Sequence, residues 1–326
     1  MLSDNHHRVH NYLRISLTDA CNFRCFYCMP NEEVEVTPMS KLMSKDEIFE
    51  FAKIFVSLGV DKIRLTGGEP LVRKDVTEII MQLATLPVKL TITTNGVLVH
   101  KYIDVFKKAN LNSVNVSLDT LNPLTFLALT RRDQFRQVKD NIELLIENNF
   151  SVKVNVVAMN GINDKEINHF VAWTKHLPLH VRFIEFMPFS QNQWMSKKVF
   201  TYEQILNTIS QEFEFIKIKD ELNDTTKKYK VLNHAGTFAV ISTMTAPFCN
   251  TCNRLRLTAD GKMKNCLFSK TEIDLLSLLR KGENITAAIK ENILSKEKAL
   301  GGQLLTDFTK IETDELENRS MIAIGG

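Results

Sequence analysis

The chain has 326 residues, of which 44% are hydrophobic and 24% charged, and these proportions exclude a disordered chain, a collagen-like fibre and a coiled-coil rod. The 41 basic and 38 acidic residues leave a net charge of +3, which does not indicate a protein that coats nucleic acid. A chain of this length is expected to form about two domains, or one large α/β barrel with an appendage.

The sequence predicts a cytoplasmic protein that does not associate with a membrane. No apolar run approaches the ~18–20 residues that a membrane span needs. The N-terminal segment, with His6, His7 and His10, lacks the apolar core of a signal peptide.

The first two-thirds of the chain alternates strand-like segments rich in Val, Ile and Thr with helical segments. Ser44 and Glu47 form a capping box before the first helix, and Gly59 stands where that helix would end. The alternation predicts an α/β fold with a parallel sheet and helical crossovers, either a doubly wound sheet or a partial barrel. The predicted strands are residues 12–17, 62–66, 90–94, 113–118, 152–157 and 181–186. The predicted helices are residues 44–58, 76–84, 98–109, 134–148 and 164–176.

The pattern changes near Pro188. Asp260-Gly261 joins two β-like segments and predicts a hairpin, which would bring Cys252 and Cys266 together. The predicted segments here are helices at residues 201–211, 271–280 and 285–295, and short strands at residues 238–242, 255–258 and 263–267. We therefore divide the chain into a first domain, residues 1–190, and a C-terminal α+β extension, residues 191–326.

Six cysteines fall into two groups of three, with none between them. In a reducing compartment, clustered thiols are metal ligands or catalytic groups more often than disulfides. Three thiols in a group also suit neither a set of disulfides nor a closed zinc site of four cysteines. The first triad is Cys21, Cys25 and Cys28, and the second triad is Cys249, Cys252 and Cys266.

The first triad follows directly after the first predicted strand. Thiolates are the ligands of iron–sulfur clusters, and three of them can hold three corners of a [4Fe-4S] cluster. The fourth iron then has no protein ligand, and an open coordination position is what a catalytic metal site needs. A zinc-binding loop or three unrelated thiols are the alternatives.

The second triad has a similar pair of interpretations. It holds another [4Fe-4S] cluster with an open iron, or a zinc ion for which His234 supplies the fourth ligand. Arg254 and Arg256 lie between its cysteines, on one face of a predicted strand. Two guanidinium groups on one face bind a polyphosphate well, although an exposed, solvated strand face has the same pattern.

A glycine-rich turn, residues 66–70, ends the second predicted strand and lets the backbone approach a ligand closely. Together with the first triad and with Tyr27 inside its loop, this turn resembles the radical S-adenosylmethionine (SAM) superfamily. The resemblance implies a partial (β/α)6 TIM-like barrel, which agrees with the six predicted strands. It also implies that the open iron chelates SAM, and that an electron from the cluster cleaves SAM to give a 5′-deoxyadenosyl radical.

Within that superfamily, the chain resembles the GTP 3′,8-cyclases of molybdenum cofactor biosynthesis over essentially its whole length. Asn265 and Pro188-Phe189 depart from the family pattern and put only the local loop shape in doubt. The resemblance rests on residues 13–19, 21–30, 63–70, 93–96, 115–119 and 182–187 and on the final Gly325-Gly326.

The resemblance also assigns site residues. The two triads would hold two [4Fe-4S] clusters, the open iron of the second would meet the guanine ring of GTP, and the Gly325-Gly326 tail would reach back into the active site. The SAM contacts that it implies are Tyr27, Gly68, Ser117 and Met187. The GTP contacts that it implies are Arg14, Arg64, Thr93, Lys153, Arg254 and Arg256, with Lys62 as a further member.

The implied enzyme is a lyase. The adenosyl radical removes hydrogen from C3′ of GTP, and the C3′ radical attacks guanine C8 to give (8S)-3′,8-cyclo-7,8-dihydroguanosine 5′-triphosphate, the first step of molybdenum cofactor (molybdopterin) biosynthesis. No acid–base residue is assigned to this step. The implied partners are GTP, the downstream cyclic pyranopterin monophosphate synthase, an electron donor of the flavodoxin or ferredoxin type, and a second copy of the chain in a homodimer.

Two other functions fit part of the pattern. A peptide-modifying radical enzyme with auxiliary clusters usually carries more than three extra cysteines, and this chain has none to spare. A zinc-stabilised binding protein without catalysis would be colourless and would contain stoichiometric zinc, whereas an iron–sulfur enzyme prepared without oxygen would be brown.

Overall fold

The computed structural model describes residues 1–29, 36–190, 192–304, 307–311, 313 and 316–325. Pro30 of the cysteine motif, Gln191 at the predicted domain boundary and Gly326 of the tail lie outside the described residues. The described strands form one 12-stranded sheet, whose outer face packs against helices.

Eight neighbouring strands of this sheet run parallel, and the first six keep their chain order across it. The strands are β1 (Tyr12–Ser16), β2 (Lys62–Thr66), β3 (Lys89–Thr94), β4 (Ser113–Ser117), β5 (Ser151–Ala158), β6 (His180–Glu185), β7 (Phe215–Lys217), β8 (Lys227–Val231), β9 (Thr237–Ile241), β10 (Arg254–Leu257), β11 (Lys262–Lys264) and β12 (Ile273–Asp274). β10 pairs with β1 and β9 pairs with β6, so the C-terminal extension continues the sheet at both edges. Antiparallel strands follow on each side, β11 and β12 beyond β10, and β8 and β7 beyond β9.

Most of the helices cover the outer face of the sheet, and the first six connect the parallel strands β1 to β6. They are α1 (Lys45–Ser57), α2 (Val76–Leu83), α3 (Ile103–Lys108), α4 (Pro123–Thr130), α5 (Phe135–Glu147), α6 (Ile167–Trp173), α7 (Tyr202–Ser210), α8 (Leu275–Arg280), α9 (Ile285–Leu294) and α10 (Met321–Ile324). The predicted capping box of α1 is present, with the Ser44 N–H donating to Glu47 Oε2 at 2.7 Å. In the described part of the chain, no helix has the length and apolar character needed to cross a membrane.

Alternate residues of the parallel strands face opposite sides of the sheet. In β1, Leu13 and Ile15 are fully buried in the main core, whereas Tyr12 and Arg14 line a cavity on the other side. Residues of every parallel strand from β10 to β9 line the same cavity. The sheet must therefore curve around this cavity, as a partial barrel does. The predicted α/β fold with a partial barrel and an α+β extension is confirmed.

Three predicted helices are shorter in the structure, and the one at residues 164–176 is a 3-10 turn (Asp164–Glu166) followed by α6. Residues 98–109 form a 3-10 turn (Val99–Lys101) followed by α3 rather than one helix. The predicted helix at residues 271–280 begins late, because Ile273–Asp274 first pairs with β11 as β12. β7, β8, α4 and α10 are additional to the predicted elements.

The predicted strand at residues 263–267 also ends early, at Lys264. Asn265 is buried there and donates from Nδ2 to the Asn292 carbonyl at 2.6 Å, which fixes the turn out of the sheet. Cys266 therefore lies in a loop after β11 rather than in a strand.

Candidate active site

A cavity of about 910 Å³ lies on the concave side of the sheet, and all six cysteines line it. The first triad follows the C-terminal end of β1, whereas Cys252 precedes the N-terminal end of β10, which pairs in parallel with β1. The two triads therefore lie at opposite ends of the same strands. The length of β1 separates them by roughly 15 Å, at ~3.3 Å for each residue of a parallel strand.

A second apolar cluster, distinct from the main core, borders this cavity. Cys25 and Cys28 of the first triad and Cys249 and Cys266 of the second pack against it. Apolar surroundings exclude water and strengthen electrostatic interactions inside a site. The cluster includes Tyr27, Met159, Phe186, Phe189, Trp194, Phe268 and Ile324.

The glycine-rich turn lies against the loop that leads into the first triad. The Gly68 N–H donates to the Thr18 carbonyl at 2.7 Å. A Cβ built on Gly68 would lie 2.5 Å from the Ala20 carbonyl oxygen, and this distance is too short for any side chain. Glycine is therefore required at this position by the contact between the two loops.

Two buried carboxylates hold the same region together. Asp119 accepts a hydrogen bond from the Tyr27 hydroxyl at 2.5 Å, and Glu69 accepts hydrogen bonds from the Thr94 hydroxyl at 2.7 Å and the Asn95 N–H at 2.6 Å. Burial raises the pKa of Glu69 to about 7 and that of Asp119 to about 6, although these hydrogen bonds oppose the rise. Because its hydroxyl is bound to Asp119, Tyr27 fixes the triad loop to the end of β4.

Three arginines form a row across three adjacent strands of the cavity wall. Arg14 on β1 is in register with Arg256 on β10 and with Arg64 on β2. Burial, and then the nearby Arg254, lowers the pKa of Arg256 to about 10. Among the described residues, the Nε atoms of Arg14 and Arg254 have no hydrogen-bond partner. Like charges on neighbouring strands destabilise a sheet. A polyanionic ligand would neutralise these charges and stabilise the arrangement.

Lys153 on β5 and Arg182 on β6 extend the positive charge along the wall. Arg182 Nη2 donates to Asn155 Oδ1 at 2.5 Å, and its Nε has no partner within the described residues. Burial, and then the charges of Arg182 and Arg64, lowers the pKa of Lys153 to about 7. Arg182 is not among the predicted site residues, although strand alternation with Ile184 would have placed it on the cavity.

Tyr12 is another cavity residue that the sequence pattern does not indicate. Arg64 Nε donates to its hydroxyl, Lys62 Nζ lies 4.4 Å from the centre of its ring, and the Arg254 guanidinium lies 5.7 Å from it. Burial would raise the pKa of the phenol, but the surrounding cations, Arg64 above all, lower it to about 7. Tyr12 thus orders three cations of the wall by one hydrogen bond and two cation–π contacts.

The structure brings every predicted site residue to this cavity. Thr93 Oγ1 accepts a hydrogen bond from Arg64 Nη1 at 3.2 Å, which orients that guanidinium. Ser117 and Met187 lie where β4 and β6 end, on the side of the first triad. The predicted residues found on the wall are the six cysteines, Tyr27, Gly68, Ser117, Met187, Arg14, Lys62, Arg64, Thr93, Lys153, Arg254 and Arg256. Their individual roles stay predictions.

The C-terminal tail reaches the arginine row. Arg256 Nη1 donates to the Gly325 carbonyl at 2.9 Å. Gly325 has a φ of +81°, and a Cβ built on it would lie 2.7 Å from the Cβ of Ser16. Only glycine fits between the strands here. The described part of the tail therefore enters the site as expected.

The second triad does not acquire a fourth ligand from His234. That ring bonds the Thr174 hydroxyl at 2.9 Å, packs on Phe213, and is not on the cavity wall, so the interpretation with His234 as a zinc ligand is wrong. Over the described ranges, no three His, Cys, Asp or Glu side chains are placed to hold one metal ion. The Leu300 N–H points to Cys249 Sγ at 3.4 Å, a contact of the kind that tunes cluster-bound thiolates. Each trio of soft thiol donors fits an iron–sulfur cluster.

Comparison with protein families gives two matches, which together cover most of the chain. Residues 15–174 match the radical SAM superfamily, and residues 179–301 match the family Molybdenum Cofactor Synthesis C. A protein of Arabidopsis thaliana named GTP 3′,8-cyclase, mitochondrial, is 47% identical over 100% of this chain and 84% of its own length. A GTP 3′,8-cyclase of Desulforamulus reducens is 44% identical over 86% of this chain and 88% of its own length.

Longer relatives and solved structures agree with these matches. The human protein named molybdenum cofactor biosynthesis protein 1 is 43% identical over 99% of this chain, which spans 51% of the length of that relative. The solved structure of Streptococcus suis SuiB bound to S-adenosylmethionine shares the fold, with a TM-score of 0.60, 16% identity, and coverage of 89% of this chain and 68% of that one. The chain belongs to the GTP 3′,8-cyclase family of the radical SAM superfamily.

Proposed function

We propose that this chain converts GTP to (8S)-3′,8-cyclo-7,8-dihydroguanosine 5′-triphosphate, the first step of molybdenum cofactor biosynthesis, with SAM and two [4Fe-4S] clusters as cofactors. One observation carries the proposal. Both cysteine triads and the arginine row line one cavity, so a site for two clusters and a site for a polyphosphate coincide.

When bound at the first triad, SAM and its cluster supply the radical that removes the C3′ hydrogen of GTP. The chain's own residues at this end fix the loop that carries the triad. Asp119 holds Tyr27, and Gly68 allows the turn to lie against that loop. Ser117 and Met187, at the ends of their strands, complete the proposed SAM contacts, because ligands bind at the C-terminal ends of parallel strands.

The cationic wall is the proposed binding site of the triphosphate. Arg14, Arg64 and Arg256 present guanidinium groups side by side, and such groups match phosphate oxygens as planar forks. Phosphate binding would neutralise the mutual repulsion of the row and satisfy its unused donors. The remaining proposed contacts on the wall are Lys62, Thr93, Lys153 and Arg254.

The surrounding fold limits the side reactions of a reactive carbon radical. The apolar cluster around Tyr27 and Phe186 keeps water and other reactants away from the site. The strands hold the wall residues rigidly, which favours attack within the bound substrate over competing reactions.

The direct test uses protein prepared without oxygen and incubated with SAM, dithionite and GTP. We expect 5′-deoxyadenosine together with a GTP-derived product that oxidises to a fluorescent pterin. ATP in place of GTP is the control and should give no pterin. Formation of 5′-deoxyadenosine with GTP unchanged would contradict the proposal and favour a peptide-modifying radical enzyme.

Four further expectations belong to the same proposal. The product passes to a downstream cyclic pyranopterin monophosphate synthase, and a flavodoxin- or ferredoxin-type protein donates electrons. The chain forms a homodimer and resides in the cytoplasm, although the Arabidopsis relative is named mitochondrial. The division into residues 1–190 and 191–326 also stays a proposal, and strands of both parts belong to the same sheet.

GTP binding is expected to weaken as the pH rises above 7. Burial, and then the charges of Arg182 and Arg64, lowers the pKa of Lys153 to about 7 in the ligand-free protein. Phosphate binding favours the charged form and raises that pKa, so the complex takes up a proton between the two values. The dissociation constant should therefore rise by up to about tenfold per pH unit in this window.

Calorimetry in two buffers of different ionisation enthalpy measures this proton uptake. At pH 8 we expect Lys153→Met to take up about one proton fewer for each GTP bound than the unchanged protein, and any remaining uptake is ascribed to Tyr12, whose pKa is lowered to about 7 by the surrounding cations. Equal proton uptake by the two proteins would show that Lys153 is not the group that titrates.

Deleting Gly325 and Gly326 is expected to spare the binding of SAM and GTP but to stop turnover. The Gly325 carbonyl accepts a hydrogen bond from Arg256, and its α-carbon lies against Ser16, whereas two glycines supply neither a thiol nor any other side chain. Equilibrium binding and product formation, measured on the same preparation, separate the two effects. Arg280→Ala, at a half-exposed arginine that pairs with Glu47 outside the cavity, serves as the control. A truncated protein with full activity would refute this role.

A further inference from the structure

The first ten residues form a compact turn that lies beside the second triad but outside the cavity. Ser3 and Val9 pair as an isolated antiparallel bridge, so residues 2–10 fold back on themselves; we call them the N-terminal turn. None of these residues is on the cavity wall. The turn nevertheless buries three polar side chains, those of Asp4, Arg8 and His10, each less than a tenth exposed.

The N-terminal turn positions Arg8 against two segments that are distant in sequence. Its Nη1 donates to the carbonyls of Cys249 and Lys298, both at 2.8 Å, and its Nη2 donates to the carbonyl of Glu297 at 2.8 Å. Its Nε donates to Asp4 Oδ2 at 2.6 Å. One planar guanidinium thus makes four hydrogen bonds, three of them to backbone carbonyls.

Those carbonyls belong to the two segments that surround one thiol. Cys249 is itself a member of the second triad, and residues 297–300 form the neighbouring loop. From that loop the Leu300 N–H points to Cys249 Sγ at 3.4 Å. Arg8 therefore ties the backbone of a triad cysteine to the loop whose amide approaches the sulfur of the same cysteine.

Asp4 fixes the direction in which Arg8 points. Its Oδ1 accepts hydrogen bonds from the N–H groups of His6 at 2.9 Å and Arg8 at 3.0 Å, and its Oδ2 also accepts from His10 Nε2 at 3.0 Å. A carboxylate with this many donors has little freedom to move. The arginine is accordingly preorganised before any cluster binds.

We propose that Arg8, oriented by Asp4, is a positioning residue for the iron–sulfur cluster of the second triad, because it sets the distance between Cys249 and the 297–300 loop. The inference rests on the proposed function in one respect, that the second triad holds a cluster. The inference concerns a residue that is not a cluster ligand. Replacing residues that hold the ligands of a metal site commonly changes metal affinity by about 10–100-fold.

The test compares two arginine variants of the full chain, purified without oxygen. In Arg8→Ala we expect the iron content to fall from about eight to about four for each chain, since only the second of two four-iron clusters is lost. Reductive cleavage of SAM to 5′-deoxyadenosine, which needs only the first triad, should stay within twofold of the unchanged protein. Arg8→Lys keeps the positive charge but loses the planar guanidinium that bonds several carbonyls at once. A chelator should therefore remove iron from the second cluster of this variant about tenfold faster than from the second cluster of the unchanged protein.

Arg73→Ala is the matched control. Arg73 is as buried as Arg8, binds Asp75, and donates to the backbone carbonyls of Leu17 and Met43 at 2.7 and 2.8 Å, away from the second triad. This variant should lower the melting temperature but keep about eight irons.

Two results would overturn the inference. One is an Arg8→Ala protein that retains all its iron with an unchanged rate of release to the chelator. The other is equal iron loss in the Arg8 and Arg73 variants, which would mean general destabilisation. If Arg8→Ala does not fold, Arg8→Lys against Arg73→Lys decides by the same rates. Failure of the premise taken from the proposed function, that the second triad holds a cluster, is distinguishable, because the unchanged protein would then hold fewer than about eight irons.

Discussion

Replacing Cys25 by serine is expected to abolish the cleavage of SAM. Cys25 is a partly buried member of the first triad, and a serine hydroxyl is a poor replacement for a soft thiolate on iron. Changes to outer partners of metal sites already cost about 10–100-fold, so loss of a ligand should lower 5′-deoxyadenosine formation by at least ~100-fold. The measurement is chromatographic quantification of 5′-deoxyadenosine after incubation with SAM and dithionite.

Cys266→Ser is the reciprocal control. It removes a ligand at the opposite end of the cavity, so it should release the second cluster and impair GTP conversion while SAM cleavage continues. The Cys25 variant should conversely keep its affinity for GTP within about twofold, because Cys25 is not among the proposed GTP contacts and mutations without shared partners usually act independently. SAM cleavage by Cys25→Ser at the rate of the unchanged protein would show that the first triad does not hold the cleaving cluster.

Arg256→Ala is expected to weaken GTP binding by about 30-fold or more, which corresponds to about 2 kcal/mol, the lower end of the cost of truncating a buried charged partner. Arg256 is buried, lies in the arginine row, and is one of the proposed phosphate contacts. Both clusters should remain, since the side chain bonds the carbonyl of Gly325 rather than a cysteine. Calorimetric titration with GTP, together with iron analysis of the same sample, measures both effects.

Two controls interpret that loss. Arg280→Ala removes a half-exposed arginine that pairs with Glu47 on the outside of the molecule and should leave GTP affinity unchanged. The protein without Gly325 and Gly326 keeps the proposed contact of Arg256 with phosphate and loses only its contact with the tail. Comparing it with Arg256→Ala therefore separates the two contacts. Equal GTP affinity in Arg256→Ala and in the unchanged protein would show that the phosphate assignment is wrong.

The sequence predicts the parallel part of the sheet well, because each inner strand is an apolar segment that is followed along the chain by a turn and a helix. It predicts the edges poorly. β7 and β8 are short and carry lysines, so their pairing depends on neighbours rather than on their own apolar pattern. α4 begins with Pro123 and leaves Leu124 and Leu127 exposed, so its apolar residues do not mark one face. Periodicity identifies a helix only where burial is one-sided.

The residues of the site are likewise only partly predictable from the sequence. The cysteines and the SAM and GTP contacts that the resemblance assigns all lie on the cavity wall. Tyr12 and Arg182 lie there too and are not among the predicted residues. Strand alternation with Arg14 and Ile184 puts them on the cavity face, but nothing local indicates that a lone tyrosine or arginine on that face takes part in binding. The arginine row also emerges only from the strand register, which joins β10 to β1 across more than 200 residues of sequence.

The N-terminal turn could not be predicted for the same reason. His6, His7 and His10 lie in a polar segment without periodicity, and nothing local indicates that Arg8 reaches the carbonyl of Cys249. Contacts of this kind depend on tertiary structure, whereas the thiol ligands themselves depend on spacing along the chain.

The central claim, that each triad holds a four-iron cluster in one shared cavity, is tested most directly by the iron and labile-sulfide content of protein purified without oxygen. We expect about eight irons and about eight sulfides for each chain, and about half of each when either triad is replaced by serines. One zinc ion at either triad, or about four irons in total, would contradict the account.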